Sequence, residues 1–103
     1  MASGKLGSAN LSAGVDTLLY TVPSGKVATA NIRVANRNPE TTNVSVSIGS
    51  GASPADDDYI TFNTPVESYS ILEEIAVMMS PNEKVWVRSN LSSVSVRVHG
   101  VES

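Results

Sequence analysis

Apolar and polar positions alternate with a period of two along most of this chain. In "KVATANIRVAN", residues 26–36, Ala28, Ala30, Ile32 and Val34 fall on one side and Thr29, Asn31, Arg33 and Ala35 on the other. That period marks a half-buried β-strand. "DTLLYTV", residues 16–22, alternates likewise, with Leu18, Tyr20 and Val22 sharing a face. Pro23 presets φ for the turn between these two stretches, and Gly25 can take the positive φ that ends it. "VSVSI" buries Val44, Val46 and Ile48, and "SVSVRVHGV" turns Val94, Val96 and Val98 inward and Ser95, Arg97 and His99 outward.

The weaker stretches fit between these. "KLGSANL", residues 5–11, reads as a first strand weakened by Gly7. "NRNPETTN" and residues 49–58, "GSGASPADDD", are loops of turn formers. Tyr59 to Phe62 reads as a short strand, after which "TPVESYS" turns the chain. "ILEEIAVMM", residues 71–79, allows a helical turn, but it is short, sits among strands and is read as one; one of Met78 and Met79 fills the core. "EKVWVRS" completes the set. About seven or eight short strands at spacings near 8–12 residues predict an all-β chain, an antiparallel β-sandwich with Ig-like or jelly-roll-like topology. Its expected core holds Ile32, Val34, Val44, Val46, Val85, Val87, Val96 and Val98. No internal repeat or second domain is evident, so residues 1–103 form one domain, with residues 1–11 expected as an extended N-terminal arm.

Composition narrows the function. A chain of 103 residues buries roughly two-thirds of its unfolded surface, enough for one modest core. Charged residues make up 17%, below the usual quarter, and Ser, Thr and Asn take their place, as suits exposed strand faces. With a net charge of −3 and no basic run, nucleic acid is not an expected partner. Cysteine is absent, which excludes disulfides and thiolate metal sites. No apolar run approaches the roughly 20 residues that span a membrane, so no membrane partner is expected. "MASGKLGSAN" lacks a signal-peptide core, so the expectation is synthesis in the cytoplasm and release by lysis or another route.

The candidates for chemistry are few. Asp56, Asp57 and Asp58 could offer oxygen ligands to Ca²⁺, but consecutive side chains diverge and the spacing is not that of an EF-hand, so a solvated loop is the better reading. Glu73 and Glu74 point to opposite faces of a strand and cannot act as an acid–base pair. His99 is the only histidine, on an outward position, and no nucleophile-elbow motif accompanies it. The triplets starting at Asn10, Asn43 and Asn90 fit the glycosylation pattern, which arises by chance in a chain rich in Ser and Asn. Trp86, between Val85 and Val87, faces outward if those valines are core, and exposed aromatics are enriched at contact hot spots.

Three stretches, "KLGSANLSAGVDTLLYTVPSGKVATANIRVANRN", "VSIGSGASPADDDYITF" and "NEKVWVRSNLSSVSVRVHGVES", together resemble small virion structural proteins of tailed bacteriophages, particularly of cyanophage type. The resemblance covers nearly the whole chain. It implies a β-rich, non-enzymatic accessory protein on the virion, without cofactors: a capsid decoration or cement protein, or a tail, collar or fibre component. The implied partners are other virion proteins, the major capsid protein first, and further copies of this chain. For a decoration protein the expected contact residues are Lys5, Leu6 and Leu11 in the N-terminal stretch, pairing with a neighbour by strand addition, and Trp86 and Arg88 on an outward face. In the fibre alternative, Trp86, Tyr59 and Tyr69 would offer flat faces to a host-surface glycan.

Overall fold

The computed structural model describes residues 3–103. The chain forms eight strands: β1 (Ser3–Leu11), β2 (Thr17–Thr21), β3 (Ala28–Asn36), β4 (Thr42–Gly49), β5 (Tyr59–Val66), β6 (Ile71–Met79), β7 (Lys84–Ser89) and β8 (Val94–Glu102). They make two four-stranded sheets, ordered β1-β8-β3-β6 and β2-β7-β4-β5. Every ladder is antiparallel and the pairing is nested: β1 with β8, β2 with β7, β3 with β6, β4 with β5. Two further ladders, β3–β8 and β4–β7, fold this long ribbon over on itself. An eight-stranded ribbon wrapped in this order is a jelly roll, which decides between the two topologies expected.

The alternation explains the core. Ile32, Val34, Val44, Val46, Val85, Val87, Val96 and Val98 are all at most 3% exposed and interdigitate between the sheets. Burying each such side chain is worth roughly 1.5–3 kcal/mol before the ordering entropy is set against it. In the turn between β2 and β3, Gly25 takes the positive φ of 77° that its position called for.

Bulges account for most departures from simple alternation. The β2–β7 register slips between Leu18 and Tyr20, so Tyr20 and Val22 are buried while Leu18 turns outward at 44% exposure. A one-residue slip moves a side chain to the other face of the sheet. β6 is bulged at Ala76, where φ is 54°. Leu72, Glu74, Val77 and Met79 face inward, while Ile71, Ile75 and Met78 face solvent. Met79 is therefore the core methionine. β5 does not stop at Phe62. It runs through Pro65 to Val66, with a bulge at Asn63 (φ 47°). Proline is tolerated there because β5 is an edge strand and needs no donor on its open side.

The N-terminal stretch is not a free arm. Residues 3–11 pair with β8 along their length, with a bulge between Lys5 and Gly7; residues 1 and 2 lie outside the described part. Gly7 lets the backbone of β2 come close, because a Cβ there would collide with the Leu19 carbonyl. The connections gather at two ends of the sandwich. One end carries residues 12–16, 37–41, 67–70 and 90–93, and the other residues 22–27, 50–58 and 80–83.

Candidate functional site

Among the described residues, no group of three or more His, Asp or Glu side chains gathers where it could hold a metal ion. Asp56–Asp58 form one turn of 3₁₀ helix. The Asp58 carboxylate accepts a hydrogen bond from the Ala55 N–H at 3.0 Å, while Asp56 and Asp57 are exposed. Glu73 and Glu74 do point apart: Glu73 faces out, 3.7 Å from Arg33, and Glu74 faces in and accepts a 2.8 Å hydrogen bond from Thr61. His99 lies between Lys5 and Asn31 in register, neither of them an acid, and its buried Nδ1 has no hydrogen-bond partner among the described residues.

The chemistry is instead spread over two outer sheet faces. On the β2-β7-β4-β5 sheet, Val85 and Val87 are fully buried, so Trp86 does face outward, half-buried. The register sets Leu18 on one side of it and Ser47 on the other, with Tyr59 next to Ser47. The Tyr59 ring meets Phe62 edge-on, centroids 5.0 Å apart, and Phe62 is 64% exposed. Ser47 is only 1% exposed on this outer face, and its hydroxyl has no partner among the described residues. Arg88 extends the face beside Ser45. Tyr69 lies apart from this row, exposed at the turn between β5 and β6.

On the β1-β8-β3-β6 sheet the outward face is mostly polar and basic along β1, β8 and β3, while Val101 and the β6 residues Ile71, Ile75 and Met78 add exposed apolar surface at its margins. Arg97 stands directly opposite Ser8 on one side and Arg33 on the other, and Arg33 opposite Glu73. The next row is Asn10, Ser95, Ala35 and Ile71. The small side chains leave a groove of about 460 Å³ flanked by the two arginines. Arg37 closes one end by donating a hydrogen bond to the Asn10 side-chain oxygen.

The five expected contact residues are not brought together. Lys5 is exposed on the basic face, whereas Trp86 and Arg88 lie on the aromatic one. Leu6 is half-buried and packs against the core. Leu11 corrects the expectation outright: it is 2% exposed, inside the core, because the N-terminal stretch is a strand of the fold. Sequence reasoning missed Leu18 and Ser47 beside Trp86, Phe62 against Tyr59, and the Arg33–Arg97 groove altogether. No family model, curated protein or solved structure matches the chain.

Proposed function

We propose that this chain is a non-enzymatic virion structural protein, a capsid decoration or cement subunit that stabilises a phage head through contacts with the major capsid protein and with further copies of itself. The observation that carries the reading is the eight-stranded jelly-roll order, with its distinctive chemistry on the two outer sheet faces. Jelly rolls serve as building blocks of viral capsids and of lectins. That argument is an analogy of fold, and the resemblance of the three long sequence stretches supports it independently. A lattice-bound subunit gains strength from many modest contacts by avidity and needs no reactive group.

A second reading, a tail, collar or fibre component that recognises a host-surface glycan, is favoured by one observation. The row of Leu18, Trp86 and Tyr59, with Phe62 exposed against Tyr59, presents apolar and aromatic surface, and aromatic side chains suit the apolar faces of sugars. Electron microscopy of purified particles labelled with gold-conjugated antibody separates the two readings. Label spread over the head supports decoration, label at the tail supports the second reading, and unlabelled particles reject both.

A further inference from the structure

We infer that the arginine groove on the β1-β8-β3-β6 face receives the Asp56–Asp57 turn of a second copy of this chain, making a head-to-tail contact between subunits. This deepens the self-association part of the function proposed above. The groove is charged in a way the isolated fold does not explain. Arg33 and Arg97 are direct cross-strand neighbours, and like charges directly opposite each other are destabilising. Glu73 offsets this only in part, since it lies 3.7 Å from Arg33 and both side chains are substantially exposed. Arg97 has no ion-pair partner among the described residues. Beside the arginine pair the floor is made of small side chains, Ser95 and Ala35 in the next row, so a carboxylate can approach both guanidinium groups. The planar fork of arginine matches a carboxylate with two parallel hydrogen bonds.

Asp56 and Asp57 supply that chemistry. Both are exposed, on a turn held by the bond between Asp58 and Ala55, and neither is in an ion pair among the described residues. The turn lies in the loop of residues 50–58, at one end of a sandwich 41 Å long. The groove lies on the other sheet, toward the opposite end, beside Asn10 and Ala35. A chain therefore cannot fill its own groove, whereas a second copy placed end to end can. Such a contact joins two different patches, so it propagates into a ring or a row.

Sedimentation velocity in low salt tests this with the wild type and two variants, a groove double Arg33→Ala/Arg97→Ala and a turn double Asp56→Asn/Asp57→Asn. All four positions sit on the surface or in the groove wall, and matching thermal melts establish that the variants fold. The wild type is expected to self-associate, and 0.5 M salt to weaken it by screening. Each variant alone is expected to associate about tenfold or more weakly, as for loss of charged hydrogen bonds. The decisive sample is their mixture. The groove variant keeps its turn and the turn variant keeps its groove, so together they form a one-to-one dimer that cannot grow. A monomeric wild type, a turn variant that associates like the wild type, or a mixture that stays monomeric would each overturn the proposal, and each can be seen without any virion.

Discussion

Replacing Asn36 by Asp is expected to cost this fold more than any other near-isosteric change. Asn36, 2% exposed at the end of β3, is the hub of one end of the sandwich. The two hydrogens on its Nδ2 are shared among the carbonyls of Glu40, Val66 and Glu67, at 2.8, 3.0 and 3.1 Å. Its Oδ1 accepts from the Asn38 backbone and side-chain N–H groups, both at 3.0 Å, and from the Thr42 hydroxyl at 3.1 Å. Asn38 passes the connection on to the Ser92 carbonyl at 2.7 Å. An Asp keeps the shape but turns the donor into an acceptor facing three carbonyl oxygens. Losing those bonds costs on the order of 1 kcal/mol each, and burying a charge without a donor adds to that, so the total is about 3–5 kcal/mol at neutral pH. A domain of this kind has only about 5–15 kcal/mol in all.

The pH dependence identifies the cause. Burial raises the folded-state pKa of the introduced acid above its unfolded value of about 3.9. The penalty is therefore smallest below about pH 4 and grows by about 1.4 kcal/mol per pH unit as pH rises toward the folded-state pKa. Urea unfolding of variant and wild type, followed by the fluorescence of the single tryptophan, Trp86, measures this at acid and neutral pH. A penalty under about 1 kcal/mol at neutral pH, or one that does not change with pH, would refute the reasoning.

Three further outcomes are expected. Val46→Ala, at a fully buried position between Thr61 and Val87, should lower the unfolding free energy by about 1–3 kcal/mol in urea titrations, while Val27→Ala, at a half-exposed position, should change it by less than about 0.5 kcal/mol. Tyr20 is held protonated far above its ordinary range, first by burial and then by the hydrogen bond to Glu102 at 2.6 Å and the charge of that carboxylate. The unfolded chain loses this proton near pH 10, so the stabilisation is complete below about pH 10 and declines above it, and alkaline titration of stability should show a slope that Tyr20→Phe reduces. Gly7→Ala should cost about 1–3 kcal/mol by thermal or urea unfolding, because the new methyl group meets the Leu19 carbonyl and one backbone must move.

How much of this was legible depended on whether a feature belongs to one strand or to several. In β3, β4, β7 and β8 the period of two runs unbroken, and there the core valines and the outward face of Trp86 could be read directly from alternation. In β2 and β6 a bulge inserts one residue, and the same rule misplaces Leu18 and cannot choose between Met78 and Met79. Nothing local announces a bulge at Ala76, a residue seldom found at positive φ. The N-terminal stretch is the strand that residues 5–11 suggested, but Leu6, Gly7 and the slip after Lys5 hide its alternation, so its place inside the sheet went unseen and Leu11 passed for a surface residue. The groove needed the registers of β1, β8 and β3 together. Arg33 and Arg97 lie far apart in sequence, and only the wrapping of the ribbon makes them neighbours. Asn36 looked like one of several turn formers, since half of its role is to tie the loop after β3 to the distant residues Val66 and Glu67.

The most direct test of the proposed role is the copy number of the chain on purified particles, measured by quantitative mass spectrometry against the major capsid protein. A decoration subunit is expected in a fixed ratio to the shell protein, the same in every preparation and unchanged by repeated purification. Absence from the particles, or a few copies that wash away, would contradict it.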